Sequence, residues 1–464
     1  MRALLGLLLV LFAVPAAAQQ PAPLEVSVVR DGANWTAELR LRRAAPAWVF
    51  LRSPLTEGDS RPWRPQSWTV LTPGVRLERR GHYDALIASD GRRVPPVVRI
   101  RFTPFGRRVQ GDYDPALTFS DGAVALYSEQ FDAFPIADIA RIARLPAALA
   151  TARIPYSATR ISLRDAAGPV LFNGRRVPQA VIEDDSDGTY ILFGNAQTVT
   201  TDALALVVDP QLPERLREAL TGAPPQMLDR YAQLLGPHAG PRPTIMASWA
   251  GPTPGRTSQG GSVLPGLVVM RFEGEGVLQT TPRARQQTLW FIAHEAAHFW
   301  LGQTVRYDTP LDSWITEGGA DMLAFRAVAA VDPTYNARDG LQGAIEECVG
   351  LSAGRGVSRA IERNEYRAYY GCGAVFALVA ESVSGSPFHV FIRDLIDANR
   401  RDRIITRQEW LAALDRVSRD PVLGRMIAAM LDTGAADSKA AIAALLTRAR
   451  IPFTRRTDGM PVLT

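Results

Sequence analysis

Lysine is nearly absent from this chain of 464 residues. Lys439 is the only one, so arginine carries almost all of the basic charge, and the arginines are spread along the sequence rather than gathered in a tract. With a net charge of +5 and no concentrated basic face, nucleic acid is excluded as the expected partner. Long apolar runs are also missing after the first 18 residues, so no integral membrane span is expected once that segment is removed. Internal repeats and low-complexity linkers are absent. Histidine is scarce, with five residues at 82, 238, 294, 298 and 389, and cysteine scarcer, with two.

The beginning of the chain points to a compartment. Arg2, an apolar run from Ala3 to Val14, Pro15 and Ala16-Ala17-Ala18 have the form of a secretory signal peptide cleaved before Gln19. The mature protein is therefore expected to be periplasmic or secreted. In an oxidising compartment Cys348 and Cys372 could close a disulfide loop, the alternative being two buried thiols that never meet.

Two of the five histidines fall in one short frame, His294-Glu295-Ala296-Ala297-His298, and Glu317 follows after eighteen intervening residues. Histidines four apart on a helix share a face, so both imidazoles can point at one ion. His294, His298 and Glu317 supply three protein ligands and leave a fourth position for water, a catalytic zinc set with one Zn2+ per chain. Glu295 then sits where it can take a proton from that water. Thr281 as N-cap, Pro282 at the first helical position and an interior free of Pro and Gly predict a helix from Arg283 to Leu301, stopped by Gly302. A second helix is expected from Asp312 or Ser313 to Ala330. Asp321, one turn beyond Glu317, is either the acceptor for a ligand imidazole or an ordinary solvent-facing carboxylate.

The run HEAAHFWLGQTVRYDTPLDSWITEGGAD resembles the catalytic core of the gluzincin metallopeptidases, above all the aminopeptidase-N, leukotriene-hydrolase and glycyl-aminopeptidase groups. The shared features are the histidine pair, the eighteen-residue spacer and the segment Trp314 to Gly318. The resemblance implies an oxyanion-binding tyrosine in a Tyr-x-x-Gly segment, which Tyr370 with Gly373 fits, and for which Tyr366 and Tyr369 are rivals. It also implies a substrate-binding strand, laid here on Gly260, Gly261, Val263 and Gly266. Val263 stands where the family has the glutamate that anchors a substrate amino terminus. Only Glu273 or Glu275 in a different register could replace it. The strand backbone could still pair with an extended peptide.

Alternating apolar and polar residues at 35–42 and 98–102, with Asp31-Gly32 as a hairpin turn, predict strands over the first half. The acidic stretch from Glu183 to Gly188 is expected to be a hairpin turn rather than a calcium site. Helices are expected from about 211 to Ala449, interrupted by strands at 244–249 and 263–272, with Arg400, Arg401 and Arg403 as a solvated helix end. The expected class is α+β and multidomain: signal peptide 1–18, β-rich domain 19–205, a thermolysin-like catalytic domain 206–400, and a helical segment 401–464. The expected function is hydrolysis of a peptide or protein substrate. The alternatives are a binding or assembly protein that keeps the fold, or a zinc hydrolase of a non-peptide amide, ester or epoxide.

Overall fold

Alternation decides the first half of the chain. Trp35, Ala37, Leu39 and Leu41 are buried along one face of their strand while Thr36 and Arg40 stay exposed, and Val98, Ile100 and Phe102 alternate in the same way with Arg99 and Arg101. The computed structural model describes residues 22–464 apart from 148, 150, 151, 153, 155–158, 184–187, 201–203, 241 and 242, so the expected signal peptide lies outside the described residues. Leu24–Asp31 and Asn34–Leu41 form an antiparallel pair turned at Gly32, whose φ of 57° is the left-handed conformation that glycine tolerates best. They belong to a six-stranded sheet. A four-stranded and a five-stranded sheet complete the β half, over a core that includes Trp35, Trp48, Trp63 and Trp68.

The stretch from Glu183 to Gly188 does not turn a hairpin. Ala180–Ile182 pairs with Thr159–Asp165 in the six-stranded sheet, whereas Tyr190–Phe193 pairs with Val124–Tyr127 in another, so the stretch links two sheets. Its residues 184–187 lie outside the described residues.

A second five-stranded sheet opens the other half, in the order Thr198–Thr200, Ala205–Val208, Thr244–Trp249, Leu267–Glu273, Ser258–Leu264. Its first strand precedes the expected division at 205 and its second straddles it. The single strand expected over 263–272 is instead a hairpin. Pro265 has no N–H for a ladder and Gly266 has a φ of 69°, so the chain reverses there and Ser258–Leu264 becomes the edge strand.

Helices follow, among them Pro282–Ala297, Trp314–Val331, Ala337–Ser352 and Arg367–Ser384, with a large apolar core between them. Three more, Arg407–Ser418, Pro421–Asp432 and Ser438–Arg448, make up the expected helical tail, but the chain finishes in a hairpin of Phe453–Arg455 and Pro461–Leu463. Arg400 and Arg403 are not merely solvated. They donate to the carbonyls of Leu235, Pro237 and Gln303, tying a helix end to neighbouring segments. Among the described residues no single helix is long and apolar enough to cross a membrane.

Two glycines set the distance between the helices Trp314–Val331 and Arg367–Ser384. A Cβ on Gly318 would lie 2.1 Å from the carbonyl carbon of Gly373, and one on Gly373 would lie 2.3 Å from the carbonyl oxygen of Trp314. Backbone meets backbone there, with no flexible side chain to yield. Gly318→Ala is expected to lower unfolding stability by about 1–3 kcal/mol through overpacking. Gly343→Ala, in open space on the next helix, should be neutral or stabilising by up to about 1 kcal/mol. Denaturant titration of the two variants checks the contrast.

Candidate active site

The helix carrying the histidine motif starts as expected, with Thr281 accepting from the Ala284 N–H and Pro282 in the first turn. It ends earlier than expected, at Ala297. His298 already belongs to a tighter turn, in which its Nδ1 lies 2.7 Å from the Leu301 carbonyl, and Gly302 reverses the chain with a φ of 140°. The second helix, Trp314–Val331, presents Glu317 in its first turn and Asp321 one turn later.

His294 Nδ1 lies 2.8 Å from Asp321 Oδ1. Asp321 is buried, so of its two expected roles the structure places it at the imidazole and not in solvent. Both histidines thus direct Nδ1–H at an acceptor, which leaves each Nε2 with a lone pair. Those lone pairs face one another. The two Nε2 atoms are 3.1 Å apart, and Glu317 Oε2 lies 3.4 Å from each. Ligands about 2.1 Å from a tetrahedral ion are spaced roughly 3.4 Å apart, so the donor set fits zinc. A second observation agrees: Glu317 Oε2 is buried and has no hydrogen-bond donor. Three buried ligand atoms converging at one point could hold a cation.

The electrostatics have the same sign. Burial opposes a charged imidazole at His294, yet the neighbouring carboxylates of Asp321 and Glu317 outweigh it and raise the pKa to about 10. Burial likewise opposes ionisation of Glu317, but the two histidines hold it below the ordinary carboxylate range. Burial pushes the Glu295 carboxyl up, against the pull of His294 and His298. A carboxylate raised in this way is a better proton acceptor.

Glu295 packs against the edge strand Ser258–Leu264. A Cβ on Gly261 would lie 2.1 Å from Glu295 Oε1, so glycine is what lets this strand lie over Glu295. Leu264 and Leu267 flank a two-residue turn as a hydrogen-bonded pair, and alternation then points the N–H and C=O groups of Gln259, Gly261 and Val263 away from the sheet. The Val263 carbonyl accepts from the Tyr113 hydroxyl at 3.1 Å. Gly260 faces the opposite way, under the Arg108 guanidinium. Gly266, placed on this strand by the resemblance, sits in the turn, and its N–H donates to Gln303. A hairpin reversal leaves it no free edge to offer.

Tyr370 is the tyrosine brought to the site. Its ring stacks on His294 with centroids 5.4 Å apart, and burial, then Glu317 and Glu295, hold its hydroxyl protonated well above the ordinary range. Tyr369 donates to the Ser358 carbonyl inside the core, and Tyr366 lies out against Gly111. Cys348 and Cys372 are disulfide-bonded, joining Ala337–Ser352 to the helix of Tyr370.

No family model matches the chain. Short segments resemble aminopeptidase N of Lactococcus lactis subsp. lactis, at 37% identity over 57 residues, and aminopeptidase N of Rattus norvegicus, at 34% over 79. These segments are 12% and 16% of this chain and only 7% and 8% of those relatives. The likeness in three dimensions is far longer. Yeast LTA4 hydrolase superimposes with a TM-score of 0.51 at 12% identity, covering 89% of this chain and 67% of the other. An aminopeptidase N family protein from Idiomarina loihiensis gives 0.54 at 11%, covering 81% and 70%. The chain has the gluzincin fold of the aminopeptidase-N group.

Val263 lies on the edge strand opposite Val268. Glu273 lies opposite Ser258, held by Arg256 at 3.4 Å and near Arg271 at 3.9 Å, and Glu275 is directed at the Gly255 N–H. Neither lies at the position of Val263. Tyr113 and Arg108, which reach the strand from the β half, carry no signal in the sequence, because they lie about 150 positions from the residues they touch.

Purified protein should hold one zinc per chain, and His294→Ala should abolish it. Asp321→Asn should weaken zinc binding by about 10–100-fold, the usual effect of removing an imidazole's acceptor. Metal analysis and competition with a chelator measure both. Unchanged affinity in Asp321→Asn would remove that residue from the site.

Proposed function

We propose that this protein is an exported zinc peptidase that hydrolyses peptide bonds without a strict need for a free amino terminus. The observation that carries the reading is the juxtaposition of an open three-ligand cation site with a buried carboxylate, Glu295, directly beneath the outward-facing backbone of Gly261. A closed structural zinc site would have a fourth protein ligand and no use for a base.

Zinc held by His294, His298 and Glu317 would supply a water of lowered pKa and polarise the substrate carbonyl. This chain's residues do the rest. An extended peptide pairs with the outward backbone groups of Gly261 and Gln259, which places its carbonyl over Glu295. Glu295 accepts a proton from the attacking water and passes it to the leaving amine. The Tyr370 hydroxyl donates to the oxyanion as charge develops. Asp321 keeps the His294 proton on Nδ1, and so keeps Nε2 free to bind metal. Export rests on the leader-like first 18 residues.

Digestion of a complex peptide mixture read by mass spectrometry tests the activity. Glu295→Gln should retain zinc while turnover falls at least about a hundredfold, the scale of general-base catalysis. Equal activity in the two proteins would remove Glu295 from the chemistry.

Val263 leads to a statement on specificity. A carboxylate anchor makes a free amine a requirement, because a blocked peptide leaves the buried charge unpaired. Valine makes no such demand, and a desolvated ammonium beside it is unfavourable. N-acetylated or internal peptide bonds should therefore be cleaved at least as well as unblocked N-terminal residues. Much faster cleavage of unblocked substrates would show that another acid supplies the anchor.

A further inference from the structure

Tyr370 has two close neighbours stacked on its ring. One face lies on the His294 imidazole, nearly parallel at 17° between planes. Over the ring, 4.6 Å from its centroid, stands the guanidinium of Arg367. Arg367 and Tyr370 are three apart on the same helix and so share a face. The guanidinium is itself held: its Nε and Nη2 donate to the two carboxylate oxygens of Glu347, each at 2.8 Å. A bidentate pair of this kind fixes the plane as well as the position of the cation. Glu347 immediately precedes Cys348, whose disulfide reaches Cys372 on the far side of Tyr370 in sequence.

We propose that Arg367, oriented by Glu347, is a positioning residue that clamps the Tyr370 ring against His294 and so aims its hydroxyl at the oxyanion. The proposal rests on the reading of Tyr370 as oxyanion donor. A phenol needs such a clamp because its hydroxyl stands about 6 Å from the backbone, where a ring tilt of about 10° displaces it by about 1 Å, enough to cost up to about a hundredfold in rate. The cation–π contact holds the ring through its face and does not engage its oxygen.

The test compares Arg367→Met, Arg367→Lys, Tyr370→Phe and the Arg367→Met/Tyr370→Phe double variant as zinc-loaded full chains. Arg367→Met should lower kcat about fivefold or more with KM unchanged within about twofold, since the hydroxyl acts in the transition state. Arg367→Lys keeps the cation and should recover part of that loss. In the Tyr370→Phe background Arg367→Met should cost nothing further. An equal loss in both backgrounds, or a change confined to KM, would overturn the clamp. If the wild-type protein hydrolyses no peptide, the function proposed above fails, and the clamp is decided by the crystal structure of Arg367→Met. A Tyr370 ring still stacked on His294 would overturn it, and a displaced ring would support it.

Discussion

Convergence of buried lone pairs at one point is the constraint on which the rest of this structure depends. Two imidazole nitrogens and a carboxylate oxygen cannot be left facing each other in a dry interior, so the surrounding elements are arranged to make that convergence tolerable. Asp321 and the Leu301 carbonyl absorb the Nδ1 protons. The early end of the motif helix gives His298 its carbonyl partner. The crossing of the next helix with the helix of Tyr370, at a distance only glycine allows, brings Glu317 and Tyr370 to the same place.

Much of this was legible before any coordinates, for a physical reason. The ligand set is local in sequence, and a helix converts spacing into direction, so His294, His298, Glu317 and Asp321 can be read from intervals of four and from one resemblance. Strand alternation around Trp35 and Ile100 is equally direct. What resisted reading was non-local. The hairpin at Pro265-Gly266 looked like one strand because Val263 and Leu264, which end its first arm, are apolar like the start of the second. The stretch from Glu183 to Gly188 has turn composition whether it joins two strands of one sheet or two sheets. Arg108, Tyr113 and the role of Gly261 depend on which distant segment lies against which. No pattern within a window of residues encodes that.

The edge strand shows how one backbone serves three neighbours. Its outward amides point away from the sheet, its odd-numbered residues face the motif helix, and its even-numbered residues face the β half, where Arg108 meets Ser258. Glycine at 261 answers to Glu295 and glycine at 260 lies beneath Arg108. A side chain at 261 would have to displace the Glu295 carboxylate, and one at 260 would press on the Arg108 guanidinium. The strand therefore has little freedom to change without changing what lies on one of its faces.

The contact between the β half and this strand also has a meaning for how the molecule assembles. The metal ligands lie within one short stretch and two helices, whereas Arg108 and Ser258 are 150 residues apart. Local contacts form quickly, and contacts across long loops form late because the closure entropy must first be overcome. In a folding chain the cluster of His294, His298 and Glu317 belongs to the early kind of structure and the contact of the edge strand with the β half to the late kind. A partly folded molecule can thus bring His294, His298 and Glu317 together while the edge strand still lacks its contacts with the β half.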